Sequence, residues 1–310
     1  MIIILIIITF LSLIQNDTID YSPSSPIWTN NQCQTGRNQS PIDLPLDVSK
    51  YLYSNEIALV STNYSLIENP TIKAVNNGEK FSFESNNLGY ILFKYHNYTY
   101  KYNAFEISFH SPSEHTLSGF NAPLELQINH TKDLSYSNAT NDNIEDENNE
   151  NTYLVISVFL LNKEKYTSEF LRSFTNFRNS NEQQFNSSYE GELTYKVMNL
   201  NDIVLSYKMF FYYQGSMTIP PCKEGVHWLI QNHFKYFSSE QFSILQDLIK
   251  TSYNSEEGNH RVTQSNSNVD GGNIFALYNN TISINIMFSK SSFIINNIIN
   301  VLFGAIILCN

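Results

Sequence analysis

Phe105-Glu106-Ile107-Ser108-Phe109-His110-Ser111-Pro112-Ser113-Glu114-His115, followed shortly by Pro123-Leu124-Glu125-Leu126-Gln127-Ile128-Asn129-His130, decides how this chain reads. Side chains on a β-strand alternate between faces, so Glu106, Ser108 and His110 share one face while Ile107 and Phe109 share the other. The same parity groups Glu125, Gln127 and Asn129. Imidazole, carboxylate and amide groups repeating at a spacing of two have the layout of a metal site with ligands missing.

Outward from this segment lie Trp28, Cys33, Gly36 and Gln39-Ser40-Pro41-Ile42-Asp43, then Asn77-Gly78. Further on come Gly215-Ser216-Met217-Thr218-Ile219-Pro220-Pro221-Cys222, Trp228 and Ser238-Ser239-Glu240-Gln241. One tetrapeptide alone is weak evidence, but this order and spacing, running from about residue 28 to 264, is specific. The chain resembles the alpha-class carbonic anhydrases, and within them a carbonic anhydrase-related, zinc-ligand-deficient member.

The resemblance implies a mainly β (α+β) fold: a single domain with a large central, mostly antiparallel twisted β-sheet and peripheral short helices. It also implies where a metal would sit. In active members three neutral imidazoles hold zinc at the floor of a conical cleft and leave one position open for water. The metal lowers the pKa of that water to about 7, and the hydroxide attacks carbon dioxide. The Pro-Ser-Glu-His run places His110 on the second ligand position, Ser108 on the first and Gln127 on the third. A hydroxyl and an amide oxygen are poor substitutes for imidazole toward zinc. No metal ligand and no catalytic residue is therefore expected, and zinc returns only under the alternative of an atypical carbonate dehydratase.

Other family positions carry over residue by residue. Glu114 and Thr218 match a pair in which the hydroxyl donates to a buried carboxylate, although a buried carboxylate needs such partners with or without a metal. Glu79 stands at the proton-shuttle position, where an ordinary carboxylate is a poor shuttle at neutral pH. Glu106 and Glu125 fall where the family orients its ligand imidazoles. His115 and His130 fall on structural positions, and His227 has no spacing that joins it to His110. Cys33 and Cys222 stand where secreted members form a disulfide, and closing so long a loop stabilises the fold by roughly 5 kcal/mol in the chain-entropy model.

The 310 residues carry 42% hydrophobic and 14% aromatic content, enough for one large core. A net charge of -11 with 18 Lys+Arg argues against a nucleic-acid partner, because phosphates would be repelled. Residues 1–20 read as a signal peptide: an apolar run from Ile2 to Ile14, then Gln15-Asn16-Asp17, without a basic start or an A-x-A pattern. The domain is expected over 21–280. Residues 281–310 form a hydrophobic tail whose apolar stretch from Phe293 to Cys309 is interrupted by Asn296, Asn297 and Asn300. A spanning helix, a glycolipid-anchor signal and a tail packed on the domain all stay open for it. The expected location is secreted or cell surface, with membrane attachment through the tail open, and the expected partner is an unknown extracellular protein or small ligand.

Sequons at Asn63, Asn97, Asn138, Asn186 and Asn279 are candidate glycosylation sites, whereas Asn38 and Asn129 lie in motif and core-strand positions that a glycan would disrupt. Residues 133–151 read as an acidic, Asn-rich surface loop with too little apolar content to pack. Strands are expected over Lys80–Glu84, Tyr90–Lys94, Tyr98–Lys101, Phe105–His110, Leu124–His130 and Tyr153–Leu161. A surface helix is expected over Ser239–Lys250, with Phe242, Leu245, Leu248 and Ile249 at helical spacing.

Overall fold

The computed structural model describes residues 21, 28–29, 31–68, 71–76, 81–136, 152–181, 189–194, 197–206, 208–253, 258–265 and 273–277. The signal-peptide and tail segments, most of the acidic loop, and Glu79, Asn138, Asn186, Asn279 and Cys309 lie outside the described residues.

Twelve strands form the central sheet. In chain order they are β1 Ile57–Tyr64, β2 Thr71–Asn76, β3 Phe81–Glu84, β4 Gly89–Tyr95, β5 Tyr98–His110 and β6 Leu124–Lys132. Then follow β7 Tyr153–Asn162, β8 Tyr189–Thr194, β9 Phe210–Ser216, β10 Glu224–Gln231, β11 Lys235–Phe237 and β12 Phe275–Leu277. Across the sheet the order is β8-β2-β3-β5-β6-β7-β10-β9-β12. All neighbours run antiparallel except β7 with β10 and β7 with β11. The mainly β, single-domain architecture is the one the resemblance implied.

The expected strands Tyr98–Lys101 and Phe105–His110 are one strand. Tyr102 and Ala104, in the stretch left between them, are buried and continue the alternation. The length of β5 lets two shorter strands share its edge: β4 pairs with Tyr98–Asn103, and β3 with Glu106–Ser108.

Each face of the sheet buries its own core. On one side Ile107, Phe109, Leu126, Ile128 and Phe83 pack with helix α2, Glu169–Asn181, through Phe170, Leu171 and Phe174, and with helix α3, Ser239–Tyr253, through Leu245, Leu248 and Ile249. On the other side Val155, Phe159, Tyr213, Val226, Trp228 and Ile230 pack with Ile42 and Leu44. Helix α3 starts on a capping box: Gln241 N donates to Ser238 Oγ while Gln241 Oε1 accepts from Ser238 N, which satisfies two orphan donors. Gln241 also bonds Ser168 N and O, tying the approach to α2 to the start of α3. Among the described residues no helix is long and apolar enough to cross a membrane.

Cys33, inside the short helix α1 Gln32–Thr35, forms a disulfide with the fully buried Cys222, 189 residues away in sequence. Replacing both with alanine should lower stability by roughly 5 kcal/mol. For a domain of this size that loss appears as a fall in melting temperature of about 10–20 °C, measured by calorimetry on oxidised protein. A shift below about 3 °C would show that the covalent link adds little to a core already complete.

Candidate functional site

The register of β5 and β6 builds the floor of a cleft. Ser108 stands opposite Gln127, His110 opposite Glu125, and Glu106 opposite Asn129. Directly paired residues point to the same face, so six polar side chains share the side of the sheet that holds Trp228 and Val155. Five of them, Glu106, Ser108, His110, Gln127 and Asn129, line a cleft walled by Tyr21, Phe81, Val155, Met217, Thr218, Ile219 and Trp228. Its cavity volume is about 50 Å³. The sixth, Glu125, is fully buried and lies in the layer below.

Hydrogen bonds fix how each floor group presents itself. His110 Nδ1 donates to the Asn259 carbonyl at 2.8 Å. Gln127 Nε2 donates to Glu114 Oε2 at 2.8 Å and to Glu125 Oε1 at 3.2 Å. Asn129 Nδ2 donates to Glu106 Oε1 at 2.7 Å. Carboxylates and carbonyls only accept, so these partners assign the tautomer of His110 and the orientation of both amides.

Beneath the floor, Glu125 gathers His115 N at 2.9 Å, His115 Nδ1 at 2.8 Å and Ser157 Oγ at 2.7 Å in addition to Gln127. Burial by itself would push this carboxyl up, but the charge and hydrogen bond of His115, with His110 and Ser157 adding, hold it at about 2. His115 continues the chain through Nε2 to the Tyr213 hydroxyl at 2.7 Å, and Tyr213 donates to Ser40 Oγ at 2.9 Å. His115 therefore braces the core, in the structural position it was given from sequence. His130 does the same between the Tyr64 hydroxyl, at 2.9 Å, and the Leu154 carbonyl, at 3.2 Å. His227 is fully buried against Tyr212, Phe93 and Tyr95, remote from His110, with the Tyr212 hydroxyl 2.8 Å from Nδ1.

The pairing of Thr218 with Glu114 implied by the resemblance is not formed. Glu114 takes Gln127 Nε2 on one oxygen and the Arg261 backbone N, at 3.2 Å, on the other, with His110 Nδ1 3.6 Å away. Glu114 Oε2 accepts from the Gln127 amide, and no hydrogen bond joins it to Thr218. Thr218 faces the cleft instead.

Two residues of the site were not singled out from sequence. Asn259 accepts from Ser111 N through Oδ1, donates from Nδ2 to the Phe109 carbonyl, and receives the His110 proton on its own carbonyl. Gly258 lets it approach: at φ 93°, an added Cβ would fall 1.7 Å from the Ser111 oxygen. Arg261 spreads its guanidinium over Gln39 Oε1, the Ser40 carbonyl and the Cys33 carbonyl, and so ties the disulfide corner to the floor.

A zinc ion would meet one imidazole nitrogen, one hydroxyl and one amide oxygen at Ser108, His110 and Gln127, and this donor set does not fit it. Among the described residues no three His, Cys, Asp or Glu side chains come together to hold a metal ion. Glu106 and Glu125, the conceivable substitutes, are held by Asn129 and by His115 with Ser157. Of the sequons, Asn63 and Asn97 are exposed, whereas Asn129 is buried in the floor.

Comparison with known proteins places this geometry. The profile of the eukaryotic-type carbonic anhydrase family matches residues 23–269. The chain is 26% identical to Dioscorin DB3S of Dioscorea polystachya over 239 residues, which cover 74% of this chain and 77% of that protein. It is 28% identical to Alpha carbonic anhydrase 6 of Arabidopsis thaliana over 227 residues, 70% of each chain. Among solved structures, dioscorin complexed with ascorbate superposes with a TM-score of 0.61 at 22% identity, covering 83% of this chain and 92% of that one. The alpha-carbonic anhydrase of Thermovibrio ammonificans with sulfanilamide superposes with a TM-score of 0.58 at 22% identity, covering 82% and 91%.

Proposed function

The chain belongs to the eukaryotic-type carbonic anhydrase family, and from that premise we propose that it is a secreted or cell-surface member that works by binding, without zinc and without hydrating carbon dioxide. One observation carries this reading: the Gln127 amide nitrogen is locked between Glu114 and Glu125 at the third of the three ligand positions, while Ser108 fills the first. Zinc affinity comes from three ligands acting together, so losing two imidazoles removes physiological binding rather than trimming it. The Cys33–Cys222 disulfide and the exposed Asn63 and Asn97 suit an oxidising, extracellular setting, and the acidic balance keeps nucleic acid out of the set of partners. The cleft has a polar floor, and one relative of the same fold is described in complex with ascorbate.

The second reading is an atypical carbonate dehydratase, reversibly hydrating carbon dioxide to bicarbonate. What favours it is an open cleft with Thr218 on its wall and Glu114 one hydrogen bond beneath its floor. Metal analysis of the purified full chain separates the two. Zinc well below one ion per chain, with no hydration above the uncatalysed rate, is the expected result. Stoichiometric zinc with sulfonamide-sensitive hydration would replace the binding reading by the enzymatic one.

A further inference from the structure

We propose that Asn63 carries an N-linked glycan whose first sugars, both N-acetylglucosamine, lie in a groove beside it, an inference that rests on the secreted reading and concerns a site sharing no residue with the cleft. The sequon Asn63-Tyr64-Ser65 closes β1. Tyr64 is buried, and strand alternation turns its exposed neighbours Asn63 and Ser65 to the opposite, outer face. Asn63 is paired directly with Tyr90 of β4, and Tyr90 with Asn103 of β5, so the three side chains stand in one row on one face of the sheet. Beside that row opens a groove of about 480 Å³, lined by Ser65, Leu66, Asn86, Asn87, Tyr90 and Asn103 around Gly89. Gly89 brings β1 and β4 close: at φ 97°, an added Cβ would fall 2.5 Å from the Asn63 carbonyl and 2.7 Å from Ser65 N. The groove therefore begins at the backbone of the sequon itself.

The lining has the chemistry of a neutral sugar site. No charged side chain lines the groove, in a chain of net charge -11. The Ser65 hydroxyl and the Asn86 and Asn87 side-chain amides make no hydrogen bond to another described residue, and Asn103 spends its nitrogen on Asp133 at 3.3 Å, which leaves its oxygen. Amides and hydroxyls both donate and accept, as sugar hydroxyls and N-acetyl groups do, whereas an ion would find no counter-charge here. Lys101 Nζ stands 4.7 Å over the Tyr90 ring, and Lys101 is the register partner of Leu92, so it approaches from the side of Tyr90 away from Gly89 and the groove. Tyr90 and the exposed Leu66 give apolar surface for the C–H face of a pyranose. The volume lies within the range of about 300–1,000 Å³ usual for small-ligand sites, and a covalent link holds the sugars at the groove at a roughly millimolar effective concentration, so individually weak contacts suffice.

The full chain, expressed in secretory eukaryotic cells, tests this, with glycopeptide mass spectrometry reading occupancy and amide hydrogen exchange reading contact. Asn63 should be occupied, and the amides from Asn86 to Tyr90 should exchange at least about threefold more slowly than in Asn63→Gln. In a Tyr90→Ala background the same comparison should show most of that protection lost. Asn97→Gln, which removes the sequon at the far end of β4, should leave it unchanged. If Asn63→Gln does not fold, the glycosylated chain is compared with itself after enzymatic removal of its glycans. An occupied Asn63 without slower exchange from Asn86 to Tyr90, or a secreted chain glycosylated elsewhere and bare at Asn63, would overturn the proposal. Were free diacetylchitobiose to slow those amides in a chain bare at Asn63, the groove would belong to the glycan of another molecule. A chain kept in the cytosol with every sequon bare would overturn the secreted reading and the proposal with it, so the two failures are told apart.

Discussion

Changing Ser108 and Gln127 together to histidine should give a chain that carries about one zinc ion after purification, with affinity at least about a thousandfold above that of the unmodified protein. Either single change should achieve much less, because two imidazoles leave the ion short of the three protein ligands that an open tetrahedral site requires. The backbone positions for this are in place. Ser108 and Gln127 face one another across β5 and β6, and His110 sits two residues along the same strand face. His110 already has its Nδ1 proton committed to the Asn259 carbonyl, which holds the ring with Nε2 toward the cleft.

Gln127→His has a second consequence, on the opposite side of the floor. In the present chain the amide bonds Glu114 Oε2, and Thr218 is left without that partner. Replacing the amide removes one donor from this oxygen, and an imidazole at 127 has Glu125 within reach for its own second nitrogen, in the role that outer carboxylates play for ligand histidines. The folded double variant should therefore gain zinc first and hydration activity to a smaller degree, to the extent that Thr218 returns to Glu114. Inductively coupled plasma analysis and a hydration assay read the two separately. A folded double variant without zinc would show that the cleft has been rebuilt beyond the exchange of two ligands.

The strand parity of Glu106, Ser108 and His110 against Glu125, Gln127 and Asn129 was legible because period-two alternation is a local property, and the observed register sets the two groups side by side. What was not legible depends on contacts far apart in the chain. The partner of His110 is a backbone carbonyl 149 residues away, and no side-chain pattern announces a carbonyl. Gly258 was the available signal, a glycine just ahead of Asn259, but its meaning lies in the closeness of Ser111. Thr218 shows the opposite failure. Its identity matched an expected partner of Glu114, yet Glu114 accepts from Gln127 and from the Arg261 backbone instead. Helix α2 escaped a sequence reading because its buried Phe170, Leu171 and Phe174 are embedded among Asn, Ser and Thr, residues that weaken a helical signal and are overruled by packing.

Acid should lower the stability of this protein over two overlapping windows, the upper one set by His130 and His227. Burial holds His130 down at about 4, against the opposing pull of its backbone bonds to Leu154 and Ile128. Burial holds His227 lower still, at about 3, with Lys132 and His96 adding to the effect. Both are ordinary histidines near 6.5 once the chain unfolds. Because the folded values lie below the unfolded ones, the stability they contribute is fully present above about pH 6.5 and is lost as pH falls from there toward 4 and 3, the unfolded chain taking up a proton that the folded chain refuses. Each refused proton costs about 1.4 kcal/mol per pH unit across that window. Glu125, held at about 2, acts lower: its contribution is present above its unfolded value and is lost only as pH drops from about 4.5 toward 2. Urea denaturation between pH 6 and pH 5 should therefore show stability falling with a slope approaching two protons from His130 and His227. In the variant His227→Phe the slope should fall by about one proton, while the Glu125 stage below pH 4.5 stays. The hydrogen bond between the Tyr212 hydroxyl and His227 would be lost, so this variant starts from a lower stability at pH 7, and the slope rather than the absolute value is the readout. An unchanged slope in His227→Phe would mean that His227 accepts its proton in the folded chain, against the burial that surrounds it with Phe93, Tyr95 and Tyr212.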